Sequence, residues 1–573
     1  MKNTDVAEFL ENIADMLEIK GDSVFRVRAY HDAARSIESL NEPIEVIEQR
    51  GELCEIPGIG ESIAAKIKEY IETGRSAYYD ELRKQITPGL AELLQVPGVG
   101  PKKARLFYEQ FGIDSVEKLE QAAREHKLSA IPRIGEKTEK NILDAIERMR
   151  ARSERTPLGI ALPTALQFLE MVRDFRTVVR ADLAGSLRRM LETIGDLDLL
   201  AASAQPEKVI DEFVSLPTVK SVLAHGPTKG TIVTEDNLQV DLRVVKPDEY
   251  GAALQYFTGS KPHNIKLRTL AEAMGLKVNE YGVFRVSDGK RIAGETEESM
   301  YEALGLRWMP PELREDRGEI EASRERRLPS LVQLSDLKGD LHVHTNWSDG
   351  ADPPEEVVKA AKQRGYQYIV LSDHSVSMGF VHGLTLERIN EQRALIAELN
   401  RKYPGIRVLH GIEVNIRADG SLDYSDDVLE RFDIVTASVH SGMGMARDRM
   451  TQRIIGAIGN SHVDILGHPT GRIIGRRDPY EVDLDAVFKV AAKTDTAMEI
   501  NAQPDRLDLK DTDARLAKER GVMLAINSDA HAVRQLGVVA YGIATAKRGW
   551  IEPKDVLNAL PLNQLLRRLG GIH

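Results

Sequence analysis

The chain has 573 residues, 42% hydrophobic and 29% charged, with a formal net charge of −12 and one cysteine, Cys54. At about 100–200 residues per domain this length predicts several domains, while the composition excludes a disordered chain, a coat of basic surface, intrachain disulfides and any multi-cysteine zinc site. No apolar run reaches the roughly 18 residues of a membrane helix and the N-terminus lacks a signal-peptide layout, so a reducing, cytoplasmic setting with no membrane partner is expected. Charge and histidine are unevenly placed. Residues 101–155 carry 13 Lys and Arg against 10 Asp and Glu, and ten of the 14 histidines lie from His342 onward. Histidines crowded without cysteine point to a metal site of imidazole and carboxylate.

To about Arg155 the pattern is one of short helices, as in Val6-Ala7-Phe9-Leu10-Ile13-Leu17 and Ile63-Ile67-Ile71. One phrase repeats: Ile56-Pro57-Gly58-Ile59-Gly60, Val96-Pro97-Gly98-Val99-Gly100 and a degraded Ile131-Pro132-Arg133-Ile134-Gly135, each ahead of a helical run. The glycines permit a tight turn whose outward N–H groups can donate to a phosphate oxygen. Gly58, Gly60, Gly98 and Gly100 are therefore candidate DNA-backbone contacts, with Lys102, Lys103 and Arg105 supplying positive charge.

From Pro157 the pattern is mixed, with strand-like runs at 197–202 and 238–245. Asp196 and Asp198, two apart, project from one face, and Asp241, alternating with Val240 and Leu242, offers a third carboxylate. Three oxygen donors with open positions suit Mg²⁺. Just upstream, Gly185-Ser186-Leu187-Arg188-Arg189 offers a triphosphate N–H groups, a hydroxyl and a guanidinium at a helix start. Tyr256-Phe257-Thr258-Gly259-Ser260, Asn264 and Arg268 follow. Residues 310–329, rich in Glu, Arg and Pro without periodicity, read as an interdomain linker.

After Asp340 strand-like runs alternate with helical ones, which predicts a parallel α/β barrel. Polar residues fall where those strands end: His342 and His344, Asp349, His374, Glu413, His440, His468, and Asp529 with His531. Arg472 is a candidate for neutralising a phosphate there.

The glycine turns look like helix-hairpin-helix elements, and the motifs up to about Gly318 resemble family X DNA polymerases, the group that includes DNA polymerase beta. The nine strand-end residues resemble the ligand set of the polymerase and histidinol phosphatase (PHP) domain. The combined order resembles a bacterial or archaeal family X polymerase over nearly the whole chain. The fold class expected is multidomain α/β and α+β: helical DNA-binding domains at 1–85 and 86–155, a nucleotidyltransferase palm at 156–245, a thumb at 246–318, a linker at 319–335, and a distorted, seven-stranded PHP barrel at 336–573.

By this likeness Asp196 and Asp198 bridge two Mg²⁺ ions, and Asp241 binds one and helps deprotonate the primer hydroxyl. Gly185, Ser186 and Arg189 hold the triphosphate. Tyr256 and Phe257 stack near the sugar, Gly259 helps exclude a ribose 2′-hydroxyl, and Asn264 and Arg268 lie on the minor-groove side of the nascent pair and template. Lys66 stands where a lyase places its Schiff-base lysine, whereas Ser62, His263 and Ile265 depart from the animal enzymes. The barrel is expected to hold up to three Mn²⁺ or Zn²⁺ ions. The implied activity is gap-filling repair synthesis by a monomer on gapped or nicked DNA with dNTPs. A metal-dependent 3′–5′ exonuclease accompanies it, with abasic-site incision and 3′-end cleaning as further activities of the barrel. The competing readings are a purely structural barrel and a DNA-end scaffold.

Overall fold

The computed structural model describes residues 3–38, 44–73, 76–84, 90–94, 96, 99–131, 134–153, 155–376 and 382–569; Gly98 and Arg133 lie outside the described residues. The chain divides into two compact units, one within residues 1–154 and one formed by residues 155–377 and 383–573.

In the first unit the helix Asn3–Lys20 buries Val6, Leu10, Ile13 and Leu17 as one stripe. The same core continues through Ile67 of Glu61–Thr73, Phe107 of Pro101–Phe111, Leu119 of Val116–Arg124 and Ile142 of Glu136–Ser153. The repeated phrase has a structural counterpart. Ile59, Val99 and Ile134 donate their N–H to the carbonyls of Ile56, Val96 and Ile131 at 3.0, 2.9 and 3.0 Å, and all six apolar side chains are buried. Each turn is thus pinned by its apolar residues.

The second unit begins with a five-stranded sheet of β1 (Arg180–Leu183), β2 (Leu197–Ala202), β3 (Val219–His225), β4 (Lys229–Thr234) and β5 (Gln239–Val245), in the order β1-β2-β5-β4-β3. Only β2 and β5 are parallel neighbours. Val240, Leu242 and Val244 pack with Leu197 and Leu199 under the helices Leu158–Arg173 and Pro206–Val214. Period-two alternation then turns Asp198 and Asp241 to the opposite face. There Leu200 and Ala202 meet the helix Tyr250–Thr258. After the helix Lys261–Ala273 comes an antiparallel sheet of β6 (Leu276–Asn279), β7 (Gly282–Arg285) and β8 (Arg291–Ala293).

The stretch read as a linker is packed. Arg314 is buried and donates to Glu297 at 2.6 Å, and Glu319, which opens the helix Glu319–Arg324, is buried against His263 at 2.6 Å. Its charged residues hid this, because buried ion pairs leave no apolar periodicity.

The remainder is a seven-stranded parallel sheet: β9 (Gly339–Val343), β10 (Tyr368–Leu371), β11 (Arg407–Asn415), β12 (Ile434–Ser438), β13 (Ile465–Leu466), β14 (Ala497–Asn501) and β15 (Leu524–Asn527), in sequential order. A parallel bridge from Val343 to Ala530 nearly closes it into the expected barrel. Leu341, Tyr368, Val370, Leu409, Ile434 and Ile465 fill its interior, and burial on both faces explains the nearly continuous apolar strands. Ion pairs tie the barrel to the preceding part of the unit: Arg472 to Glu192 at 2.8 Å, Arg548 to Glu315 at 3.0 Å and Asp511 to Arg317 at 2.9 Å.

Candidate active sites

The parallel register of β2 and β5 sets Asp198 directly beside Asp241. Asp196 lies two residues earlier, and one oxygen from each of the three carboxylates falls within 4.8 Å of the others. Gly185 makes the arrangement possible. Its φ is +58°, and a Cβ there would lie 2.8 Å from Cγ of Asp198 and 3.1 Å from its Cβ. Asp198 is further fixed by its carbonyl, which accepts from the N–H of Ala184 at 2.8 Å. Burial, with the charges of Asp196 and Asp241, pushes its carboxyl up to about 7. Cations answer this cluster in part: Lys229 Nζ is 2.8 Å from Asp241 Oδ2, while Gln239 donates to Oδ1 at 3.1 Å. Carboxylates held this close fit a divalent cation.

Ser186 follows Gly185 at the start of the short helix Gly185–Arg188 and is half-buried. Arg188 makes a two-pronged pair with Glu297 at 2.7 and 2.8 Å. Arg189 pairs with Glu315 at 2.9 Å and donates to the carbonyl of Thr258. Its guanidinium lies beside Gly259, whose φ of +71° ends the helix Tyr250–Thr258. Tyr256 and Phe257 meet edge to face at 5.2 Å, and Arg243 lies 4.6 Å from the Phe257 ring. Asn264 donates to the Tyr256 carbonyl and accepts from Gln255, both at 2.7 Å, which joins the two helices. Arg268 and Ile265 are exposed. His263 is fully buried, between Glu319 and the Tyr301 hydroxyl.

At the barrel, all nine strand-end residues converge. His342 and His344 close β9, Glu413 lies on β11, and His374, His440, His468 and the pair Asp529 and His531 follow β10, β12, β13 and β15. They form overlapping groups among the described residues: His344, Asp349, His374 and His531; His342, His344 and Asp529; His374, Glu413 and His440. His468 joins them through Glu413 Oε1 at 3.0 Å. Burial opposes charge on the imidazoles, yet Glu413 and Asp349 raise His374 to about 10, and Asp349 with Asp529 raises His531 to about 9. Burial carries His440 down to about 4. The residues fit metal ions by a further observation: Nε2 of His342 and Nδ1 of His344 are buried without a hydrogen bond. Such atoms are costly unless a ligand takes them up.

Supporting residues appear that sequence reading missed. Glu499 on β14 accepts from His342 Nδ1 at 2.7 Å and from the His468 N–H at 2.7 Å. Asp373 accepts from the Thr345 N–H and hydroxyl, both at 2.8 Å, and from Ser348 at 2.7 Å. A signal existed in each case: a carboxylate inside or just after an apolar strand needs a partner. Arg472, expected at the phosphate, is instead buried, donating to the carbonyls of Arg506 and Leu507 and pairing with Glu192.

In the first unit Lys66 is half-buried on Glu61–Thr73, 4.7 Å from the Tyr78 ring centre, donating to the Ser62 carbonyl at 2.7 Å and hydroxyl at 2.9 Å. Burial, with Arg26 nearby, lowers its pKa. Gly58 has φ +84°, Gly60 leads into Glu61–Thr73, and Gly100 caps Pro101–Phe111. Lys102 is exposed and Lys103 half-buried on that last helix.

A carboxylate trio beside a glycine-started turn is the working end of a nucleotidyltransferase fold, and an imidazole ring at parallel strand ends is that of a metal-dependent phosphoesterase barrel; this chain joins the two. Comparison with known proteins agrees. Residues 1–76 match the helix-hairpin-helix domain, 90–148 the SAM-like helix-hairpin-helix tandem, 253–315 the DNA polymerase beta thumb and 340–503 the PHP domain. The chain is 39% identical to the DNA polymerase/3′-5′ exonuclease PolX of Bacillus subtilis over 567 residues, 99% of each chain. It is 26% identical to rat DNA polymerase lambda over 339 residues, 54% of this chain and 56% of that one. A probable phosphatase of a Thermoanaerobacter species is 32% identical over 250 residues, 40% of this chain and 97% of its own. The chain belongs to the PHP-bearing family X DNA polymerases, enzymes that join a nucleotidyltransferase to an exonuclease.

Proposed function

We propose that this chain fills short gaps in damaged DNA, adding nucleotides at Asp196, Asp198 and Asp241 and trimming 3′ ends at the barrel mouth. One observation carries the reading: two separate ligand clusters of different chemistry, carboxylates alone on the five-stranded sheet and imidazole with carboxylate at the barrel. Carboxylates alone suit two Mg²⁺ and the mixed set suits up to three Mn²⁺ or Zn²⁺. Bound divalent ions would supply Lewis-acid compensation of the charge at the reacting phosphates in both places.

The protein's own groups have these parts. Asp241 takes up the primer hydroxyl proton. The Ser186 hydroxyl donates to the triphosphate, and Arg189 turns to it from Glu315. Tyr256, Phe257 and Gly259 shape the sugar pocket, and Asn264 and Arg268 face the nascent pair and template. Gly58, Gly60, Gly98 and Gly100, with Lys102 and Lys103, hold the DNA backbone, which makes binding sensitive to salt. In the barrel Glu499 fixes His342 and thereby the ligand set. The reading extends to abasic-site incision and 3′-end cleaning at the barrel and lyase chemistry at Lys66. It assigns the domains to 1–85, 86–155, 156–245, 246–318 and 336–573, in a cytoplasmic monomer.

The test follows both ends of a strand in a one-nucleotide gapped duplex, with and without dNTPs, in Mg²⁺ and then Mn²⁺. Asp196→Ala/Asp198→Ala should abolish extension and spare shortening, and Asp529→Ala/His531→Ala should do the reverse. Shortening that survives the second pair intact would place the exonuclease elsewhere.

A further inference from the structure

Away from both clusters, on the outer wall of the barrel, a cavity of about 490 Å³ lies between the helix Leu386–Lys402 and the first half of β11. Its size is that of a small-molecule site. Arg393, Arg401, Arg407 and Arg431 line it, with His410 and Asp433. Among the described residues none of these four guanidiniums pairs with a carboxylate. Arg401 and Arg431 donate only to the backbone carbonyls of Ala397 and Asp427, at 3.4 and 3.2 Å. Asp433, the carboxylate in the wall, already accepts from the His410 N–H at 2.8 Å. Four like charges against the one carboxylate among the lining residues leave a positive excess, which an anion would offset.

Two buried atoms behind the wall lack partners. Arg407 Nε is a donor without a partner, and His410 Nδ1 is also without one. His410 is 3% exposed, and its Nε2 lies 3.0 Å from Gln392 Oε1. Gln392 Nε2 is committed to Asp373 at 2.6 Å, so Oε1 accepts and the proton of His410 belongs on Nε2. Nδ1 is left as an acceptor. The cavity therefore offers guanidinium donors for an anion, with the Asp433 carboxylate beside them for a hydroxyl or amine group of the same ligand. Arg407 opens β11 about 20 Å along the strand from Glu413, and His410, at the inner end of the cavity, stands three residues, about 10 Å, before that ligand.

We propose that this cavity is a binding site for a nucleoside phosphate, its phosphate held by the arginines and its hydroxyl or amine groups by Asp433. The test is calorimetric titration of AMP into the full-length, metal-loaded protein and into Arg393→Gln/Arg401→Gln. Both substituted residues are exposed on their helix, and unchanged exonuclease and polymerase rates check the fold. A second variant, Arg407→Gln, removes the buried donor. Each arginine contact to phosphate is a charge-assisted hydrogen bond, so each variant should bind AMP at this site at least about tenfold more weakly. The wild type should also show one more AMP site than either variant at subsaturating ligand. Displacement of AMP by inorganic phosphate alone would identify the phosphate as the recognised group, in support. Equal stoichiometry and affinity in wild type and both variants would overturn the proposal. So would arginine-dependent binding of a ten-nucleotide single strand with none of AMP.

Discussion

Replacing Gly185 by alanine tests the link between the Gly-Ser turn and the carboxylates most sharply. The new methyl would sit 2.8 Å from Cγ of Asp198, where carbon atoms prefer about 3.5–4.0 Å, so the carboxylate must withdraw by about 1 Å or the turn must open. The turn resists opening, because Asp198 is anchored through the Ala184 N–H. Alanine at φ +58° adds about 1–2 kcal/mol of backbone strain. A displacement of about 1 Å in a reacting group costs about 100-fold in rate. Gly185→Ala should therefore lower the rate of single-nucleotide gap filling about 100-fold, read by gel extension under single-turnover conditions. The 3′–5′ shortening rate should stay within about twofold of wild type, since none of the nine barrel residues touches the turn. Gap filling within threefold of wild type would refute the reasoning.

Glu297→Gln strips the shared carboxylate from Arg188 and the buried Arg314, and breaking a buried pair from one side costs about 3–5 kcal/mol; calorimetry should show an early transition absent from wild type. Despite burial, Glu297 is held low by Arg314 and Arg188, Glu319 by His263, and Asp511 by Arg548 and Arg317. Depressed carboxyls stabilise fully above their unfolded values, 4.5 for Glu and 3.8 for Asp, and that contribution is lost as pH falls further. The melting temperature should accordingly drop steeply below about pH 4.5, and less steeply in Glu297→Gln. Glu499→Gln leaves the nine barrel residues in place but loosens His342, so metal affinity should fall about 10–100-fold by competitive chelation while gap filling persists. Borohydride trapping on abasic DNA should yield a covalent adduct that Lys66→Ala removes; an undiminished adduct in Lys66→Ala would move the lyase chemistry to another amine.

Much of the fold and of both clusters was legible in local patterns. The period of two in 238–245 put Asp241 on the face opposite the apolar residues, and Asp196-Leu197-Asp198 did the same on its own strand. The histidines could be found because parallel strands end at one rim, so residues at equivalent strand ends meet whatever their separation in sequence. The repeated apolar-Pro-Gly-apolar phrase was legible because its apolar members recur at fixed spacing and are buried.

Other features depend on partners distant in sequence. Only the register of β2 with β5 brought Asp198 beside Asp241, and only the approach of Gly185 showed why no side chain is tolerated there. Lys229 reached Asp241 across strands, Glu499 reached His342 over 157 residues, and Arg472 crossed from the barrel to Glu192. The segment 310–329 was misread for the same reason. A charged side chain shows in sequence as polar, and whether it is solvated or buried rests on a counter-charge that nothing nearby in the chain announces. The sequence by itself determined which residues bear chemistry and the strand faces and ends that carry them. The tertiary structure decided which charges are neutralised by protein and which remain open to a ligand, because electrostatic balance is a property of assembled neighbours.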